Sequence, residues 1–216
     1  MSRVIQSTVY SFKELSDSAK DRVRDWYCGC IESDESDELT DYDDWQAVAA
    51  ILGVTFKTKS VPLMGRGVRH DPCIWWSGFS SQGDGASFEG SYTYAKGAAR
   101  KIRDYAPTDK RLHAIADDLQ NAQRLNFYRL EASVTRGHGS NFYSHSGTMS
   151  VEVWDREDNY RDVGDAEEGV REALRDFANW IYAQLEAQRD YLTSDEAVDE
   201  SILANGYEFT EDGQIA

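Results

Sequence analysis

The sequence predicts an α+β protein: a single domain over residues 1–216, with a mainly antiparallel β-sheet packed by several α-helices, including a long C-terminal helix. Three observations lead to this prediction. Short alternating or aromatic runs are separated by glycine-rich bends, as in antiparallel hairpins. Longer segments repeat apolar residues at spacings of three and four, the period of an amphipathic helix. Hydrophobic residues make up 40% and aromatic residues 12% of the chain, enough to build a packed core.

The helical period recurs in five segments. Ser16 and Ser194 precede two of them as N-caps, and Gly53 ends another, because glycine accepts the left-handed conformation that often follows a helix. The longest segment steps its apolar residues by four and three from Val170 to Leu185, and we expect it to pack across the sheet. The predicted helices are residues 17–28, 44–52, 109–125, 165–192 and 194–203, the last within a short C-terminal tail of about residues 195–216.

Alternating side chains predict the strands. Residues 127–135 and 148–154 flank a polar bend and are expected to pair as a hairpin. Residues 74–79, which contain two adjacent tryptophans, are expected to form a central strand. Residues 62–71 are predicted to be irregular, because glycines interrupt any strand pattern there. Further strands are predicted at residues 4–10, 54–61, 86–94 and 207–209.

Two polar, glycine-rich bends are the candidate binding site. The first follows the double tryptophan, and its glycines allow positive φ and a close approach of the backbone to a ligand. The second lies within residues 136–147 and carries two of the four histidines. We expect the bends to come together and enclose a cavity; the alternative is two ordinary turns whose hydroxyl groups satisfy their own backbone. The candidate side chains are Ser80, Ser81, Gln82, Asp84 and Glu89 in the first, and His138, Asn141, Tyr143, Ser144, His145 and Ser146 in the second.

The histidines of the second bend raise the question of catalysis. His138 and His145 could cleave a phosphodiester, one acting as base and the other as acid, but binding without chemistry is the favoured interpretation. Gly83-Asp84-Gly85 lacks the last glycine of the dinucleotide-binding fingerprint, and no phosphate-loop pattern occurs. Because these histidines and Asp84 also lack a metal-ligand spacing, neither a metal nor a cofactor is predicted.

The formal net charge is −16, from 23 basic and 39 acidic residues. This charge argues against non-specific binding to nucleic acid or to an anionic membrane, and it allows a basic protein surface as partner. Residues 32–44 hold eight acids and no base, which predicts an acidic loop that is either simply solvated or mimics nucleic-acid phosphates. The sign reverses in residues 96–111, where six bases face two acids and could attract an anionic ligand or neutralise the acidic loop.

Cysteine usage and hydropathy indicate the compartment. The three cysteines, Cys28, Cys30 and Cys73, form no even framework, which is typical of a reduced cytoplasmic protein. The first ten residues lack the apolar core of a secretory signal, and no run of about 18 apolar residues occurs. We therefore expect a cytoplasmic protein without a membrane span.

Four segments carry a resemblance to a known family. They are YSFKELSDSAKDRVRDWY, SGFSSQGDGASFEG, FYSHSGTMSVEV and NGYEFTEDG. They look like uncharacterised accessory proteins encoded by tailed bacteriophages, for which SGFxSQGDGAxFEG is the specific motif, and the similarity covers most of the chain. The resemblance implies a phage origin and therefore the host cytoplasm, and it suggests action against host defence as a class expectation. It carries over no catalytic residues.

Three functions follow as hypotheses. The leading one is a host-defence antagonist that binds and sequesters a nucleotide-like immune signal; the second is an acidic nucleic-acid mimic that inhibits a host defence complex of CRISPR or restriction type by direct binding. The third is a phosphodiesterase that uses His138 and His145 on a cyclic nucleotide. The expected partners are thus a small nucleotide-like molecule or a host defence protein, not nucleic acid or membrane, and a homo-oligomer is left open. For the leading hypothesis the binding residues are Trp76, Ser80, Gln82, Asp84, Arg100, Tyr143 and His145, with Arg66, Arg69 and Lys101 as further cations for phosphates.

Overall fold

The protein is described from a computed structural model, which covers residues 8–32, 39–137 and 143–216. The predicted α+β class is confirmed, because this part of the chain combines six α-helices with ten strands, all of them paired antiparallel. The helices are α1 Asp17–Ile31, α2 Tyr42–Leu52, α3 Ala98–Tyr105, α4 Lys110–Leu125, α5 Asp165–Leu192 and α6 Asp195–Asn205. The strands are β1 Tyr10–Ser11, β2 Val54–Phe56, β3 Thr58–Pro62, β4 Val68–Pro72, β5 Ile74–Ser77, β6 Gly85–Phe88, β7 Gly90–Thr93, β8 Leu130–Arg136, β9 Met149–Asp155 and β10 Glu208–Phe209.

The helix ends follow the local signals in the sequence. The Ser16 hydroxyl accepts a hydrogen bond from the Ala19 amide, and the Ser194 hydroxyl accepts one from the Ala197 amide, so both predicted N-caps are confirmed. Gly53 ends α2 with φ +89°, and a Cβ there would collide with the Thr93 carbonyl oxygen. Only glycine therefore fits this helix end without strain.

The chain groups into two compact units. One unit consists of residues 1–40 and 185–216, and its described part buries apolar side chains of α1, α6 and the β1–β10 pair around Phe12, Val198 and Phe209. An ion pair connects α1 to α6 within this unit, because the Arg24 guanidinium donates two hydrogen bonds of 2.7 and 2.8 Å to the Asp199 carboxylate. This fork-to-fork pairing is the strong form of a surface ion pair.

The second unit, residues 41–184, contains the four-stranded sheet β2-β7-β8-β9. Phe177 of α5 stacks on Phe56 of β2 at 6.1 Å and meets Phe88 of β6 edge-on at 5.8 Å, so the predicted packing of this helix on strands is confirmed. The Gln123 side chain of α4 donates to the Leu130 carbonyl at 2.7 Å and accepts from the Leu130 amide at 3.1 Å. It also donates to the Tyr92 hydroxyl, and burial raises the pKa of Tyr92 to about 12.

The predicted hairpin of the second unit is confirmed, since β8 and β9 pair over seven residues from Leu130↔Asp155 to Arg136↔Met149. Two other predictions for the strands are wrong. Residues 74–77 are not a central strand, because β5 pairs with β6 in a separate two-stranded sheet. The prediction that residues 62–71 are irregular is wrong from Val68 onward, because Val68–Pro72 form β4 and pair with β3 in a hairpin. The basic segment 96–111 also contains a helix, α3, that was not predicted.

The acidic loop predicted for residues 32–44 is only partly within the described residues. Residues 33–38 lie outside them, as does most of the strand predicted at residues 4–10. At the described end the loop prediction is wrong, because Asp43 and Asp44 belong to the first turn of α2 and Asp41 is its N-cap. Carboxylates are stabilised at this position by the positive end of the helix dipole.

Candidate functional site

The two polar bends contact each other. The first bend, Gly78–Asp84, joins β5 to β6, and the described part of the second bend is Tyr143–Thr148. The Ser77 hydroxyl accepts a hydrogen bond from the Ser144 amide at 3.0 Å and lies 3.4 Å from the Ser144 carbonyl, to which it donates. The predicted contact between these two bends is therefore confirmed. We call the joined surface the paired bends.

Two glycines, Gly83 in the first bend and Gly85 at the start of β6, permit this contact. A Cβ on Gly83 would lie 2.5 Å from the Tyr143 ring, and a Cβ on Gly85 would lie 2.6 Å from the His145 Cβ. Real Cβ atoms do not approach other atoms this closely. A side chain at position 83 would displace the Tyr143 ring, and one at position 85, where the His145 Cα also lies within 2.9 Å, would displace the backbone of the second bend. The glycines thus serve the contact between two protein segments.

Asp84 organises the first bend from within. Its carboxylate accepts hydrogen bonds from the Ser81 amide at 2.6 Å, the Ser80 amide at 2.7 Å and the Ser81 hydroxyl at 3.0 Å. The hydrogen bond from the Ser81 amide is the main cause that lowers the pKa of Asp84. Asp84 was predicted as a ligand-binding residue, and the structure places its oxygens on the bend's own backbone, while the Ser80 and Gln82 side chains are exposed.

The two tryptophans of β5 face opposite sides of the strand. Trp76 packs on Phe79 at 5.2 Å, and Phe79 stacks on Tyr182 of α5 at 5.9 Å. Trp75 instead carries the Arg136 guanidinium over its ring at 5.2 Å, on the same side of the strand as Ser77. The predicted binding residue Trp76 therefore belongs to an aromatic ladder with α5, and it is Trp75 that lies on the side of the second bend.

Arg136, which the sequence did not single out as a binding residue, joins the paired bends. It ends β8, and its guanidinium donates to the Ser144 hydroxyl at 2.9 Å and to the Tyr143 carbonyl at 3.4 Å. The only sequence signal is its position immediately before the glycine-rich segment, which is a weak one. Its two contacts place a positive charge at the second bend.

The predicted histidine and tyrosine of the second bend have different surroundings. Tyr143 keeps half of its surface exposed beside Gly83. His145 is half-buried, and its Nδ1 accepts a hydrogen bond from the Gly147 amide at 3.1 Å, which fixes the ring locally. His138 and Asn141 lie outside the described residues. The pairing of His138 with His145 that catalysis requires therefore stays a prediction.

The other predicted cations lie on two further elements. Arg100 is on α3, a helix that packs against α2 and α4, and its exposed side chain is 3.8 Å from Asp104. Lys101 is on the same helix. Arg69 pairs with Asp71 on β4 at 2.6 Å, and Arg66 lies at the tip of the β3–β4 hairpin. Arg69 and Arg100 each form an ion pair within their own element, with Asp71 and Asp104 respectively.

Several cavities are open on the second unit. One of about 550 Å³ lies beside α2 and β2, around Gly53 and Thr93. Another of about 310 Å³ lies between α4 and the first half of α5, and a third of about 530 Å³ opens beside Trp154. These three cavities are lined by residues away from the bends, so an enclosed cavity between the paired bends stays a prediction.

Within residues 8–32, 39–137 and 143–216, no group of three or more His, Cys, Asp or Glu side chains is arranged to hold a metal ion. Cys28, Cys30 and Cys73 are not joined by disulfides. None of the helices in these ranges is both long and apolar enough to cross a membrane.

A comparison with protein families gives a match that covers the middle of this α+β chain. The family model described as "Domain of unknown function (DUF8835)" matches residues 39–195, which is more than half of the chain. The chain therefore belongs to this family, and the match includes both bends. No curated protein and no solved structure matches the chain.

Proposed function

We propose that this protein binds a small nucleotide-like ligand at the paired bends and sequesters it without turnover. The observation that carries the proposal is the direct joining of the bends through Ser77 and Ser144, which lie 67 residues apart in the chain. Residues that are distant in sequence but held together at loops are the usual way in which folds build binding surfaces. Following the resemblance to phage accessory proteins, we propose a host immune signal as the ligand.

The chemistry of the paired bends restricts the ligand class. The Arg136 guanidinium places a positive charge next to Tyr143 that can attract a phosphate, while the Ser144 hydroxyl to which it donates is buried and holds it in position. One guanidinium suits the single charge of a phosphodiester better than the several charges of a nucleoside triphosphate. The half-exposed Tyr143 ring offers a face for stacking a base. Cyclic nucleotides and cyclic dinucleotides therefore fit better than ATP.

Isothermal titration with a panel of cyclic dinucleotides and ADP-ribose derivatives tests the proposal. At least one member should bind, and Tyr143→Ala should weaken its binding about tenfold or more, because stacking of a base on an aromatic ring contributes about 1–3 kcal/mol. Tyr160→Ala is the matched control, since Tyr160 is fully exposed in the same unit. Absence of binding to every member of the panel would end this proposal.

Turnover of the bound ligand separates sequestration from catalysis. The ligand recovered after long incubation with the protein should be intact by ³¹P NMR. If it is cleaved, and if His138→Ala and His145→Ala each remove the cleavage, the protein is a phosphodiesterase and the proposal of sequestration is wrong. The half-buried position of His145 permits its truncation without opening the apolar core.

The net charge of −16 favours a second candidate, an acidic mimic that occupies a basic nucleic-acid channel of a host defence complex. In the described end of the acidic segment, Asp41 and Asp43 are exposed at the start of α2. Replacing the acids of residues 32–44 by amides should abolish inhibition of CRISPR or restriction complexes if the mimic is correct. Unchanged inhibition by this variant would exclude the acidic segment as the inhibitory surface.

A further inference from the structure

The β3–β4 hairpin, residues 58–72, carries an exposed apolar tip, and we call it the arm. Its strands pair with each other over five residues, from Thr58↔Pro72 to Pro62↔Val68, and form a two-stranded sheet of their own. At the tip the Met64 side chain is fully exposed, and Leu63 and Val68 are about half exposed. Adjacent exposed apolar side chains of this kind mark contact surfaces.

The tip has a defined conformation. The Leu63 amide donates to the Gly67 carbonyl at 3.0 Å, and Gly65 and Arg66 both have positive φ, of +102° and +80°. A positive φ at arginine is uncommon and costs about 1 kcal/mol or more, so the surrounding turn must impose it. The turn thus places Met64 and Arg66 at the tip of the arm.

The arm is also basic within an acidic chain. Lys57 at its base pairs with Glu89, and Arg69 pairs with Asp71. Lys59 and Arg66 add two further positive charges along the strand and at the tip. The arm therefore combines an apolar tip with positive charge, in a protein whose net charge is −16.

A groove of the complementary kind lies between α4 and the first half of α5. This cavity of about 310 Å³ has small or apolar side chains on its floor and carboxylates on its rim. Its volume is at the lower limit for small-molecule sites, so it suits a few side chains better than a complete ligand. The buried and half-buried lining residues Ala122, Ala166, Gly169 and Ala173 form the floor, and the exposed Leu125 adds an apolar side chain to the lining. The exposed acids Asp118, Asp165, Glu172 and Asp176 form the rim.

The carboxylates on the rim repel one another. Partial burial, and then the neighbouring charges of Asp176 and Asp117, raise the pKa of Asp118. Asp117 already pairs with Arg103, and Glu172 pairs with Arg175. A cation placed between Asp118 and Asp176 would relieve the remaining repulsion across the groove.

We propose that the groove receives the arm of a second copy of this chain, with Met64 and Leu63 on the apolar floor and Arg66 and Lys59 between Asp118 and Asp176. In this contact the apolar side chains of the arm lie on the apolar floor, and the positive charges of Arg66 and Lys59 face the negative charges of Asp118 and Asp176. If two copies exchange arms reciprocally, the contact closes into a symmetric dimer. The inference is independent of the ligand proposed for the paired bends.

Sedimentation velocity of the full chain across a concentration series tests the arm–groove contact. The wild-type chain should associate, and Met64→Asp should weaken association at least about tenfold, because a buried methionine is replaced by a charge that the groove repels. The Met64 side chain is fully exposed in one copy, so this variant should keep its thermal midpoint. Tyr160→Asp, at another fully exposed site in the same unit, is the control and should associate normally.

Charge reversal on both surfaces identifies the partner segments. The double variants Lys59→Glu/Arg66→Glu and Asp118→Lys/Asp176→Lys should each fail to associate alone. Mixing the two should restore a contact between the reversed arm and the reversed groove. A wild-type chain that stays monomeric at every concentration would overturn the proposal, as would association that neither reversal affects, or a groove that only an unrelated basic peptide occupies.

Discussion

The first bend and the arm are both parts of antiparallel hairpins in the second unit. The first bend uses its polar groups in hydrogen bonds within the protein, whereas the arm exposes apolar side chains to solvent. In the first bend, the Asp84 carboxylate accepts hydrogen bonds from the amides of Ser80 and Ser81. The glycines at 83 and 85 allow the chain to lie close to the second bend. In the arm, the two strands form a sheet of their own, and the Met64 side chain is fully exposed. A glycine-rich polar segment can therefore be a structural joint, while a less conspicuous hairpin displays the groups that a partner could bind.

The largest effect is expected from Gly85→Ala, which tests whether the bends depend on close contact. The new Cβ would lie 2.6 Å from the His145 Cβ and 2.9 Å from its Cα, so the second bend must move. We expect a loss of about 1–3 kcal/mol in the free energy of unfolding, typical of overpacking, measured by urea denaturation. Gly29→Ala is the control, because no atom lies within 4 Å of its added Cβ, and it should be neutral or slightly stabilising. Equal stability of both variants would show that the bends do not need this contact.

Asp84→Ala is expected to have the next largest effect, because it removes the acceptor that closes the first bend. The loss should be about 1–2 kcal/mol at neutral pH, similar to the loss of a helix N-cap. Since the pKa of Asp84 is lowered in the folded protein, its contribution is complete above the unfolded value near 3.8. It disappears as the pH falls through the folded value.

Thermal unfolding of wild type and Asp84→Ala over a pH series checks this sign. The difference between the two midpoints should be constant near neutral pH and should shrink below about pH 4. A difference that persists unchanged in acid would mean that Asp84 acts through packing and not through its charge.

Ser77→Ala is expected to have a smaller effect, because it removes the hydroxyl that joins β5 to Ser144. A loss of about 1 kcal/mol is expected from a single partly buried hydrogen-bonding group. Hydrogen exchange of the Ser144 amide, which donates to Ser77 at 3.0 Å, gives a local readout and should accelerate in this variant. Unchanged exchange at Ser144 would contradict the role of this hydrogen bond in joining the bends.

The smallest effect on stability is expected from Met64→Ser at the tip of the arm. Its side chain is fully exposed, so the free energy of unfolding measured at low protein concentration should stay within about 0.5 kcal/mol of wild type. A large loss would show that the tip packs on its own chain. It would also remove the contrast between the arm and the bends.

Local signals predicted five of the six described helices, and the missed helix α3 and the arm show where such signals fail. Ser16, Ser194 and Gly53 act as the sequence indicates, because caps depend on neighbouring residues only. Most of β3 lies in the strand predicted at residues 54–61, but β4 was missed, because its first three residues are exposed and no alternation of apolar and polar residues reveals it. Its pairing could be predicted only by knowing which residues lie opposite one another.

The candidate site was predicted in part for the same physical reason. Glycines at 83 and 85 indicate a close approach, but a missing Cβ does not tell which atoms approach. Trp75 and Trp76 are adjacent in sequence and face opposite sides of β5, so choosing between them required the positions of Arg136 and Tyr182. Arg136 could not be identified, because its role comes from contacts with Ser144 across the second bend.

The side chain of Gln123 has a consequence for how the sheet can evolve. By offering both an amide hydrogen and a carbonyl oxygen to Leu130, it substitutes for one residue of a neighbouring strand at the start of β8. A side chain of α4 thereby ends the hydrogen-bond ladder at the start of β8. A hydrophobic replacement of similar size would leave the amide and the carbonyl of Leu130 without these hydrogen bonds. In a saturation library this position should tolerate few amino acids, even though it is polar.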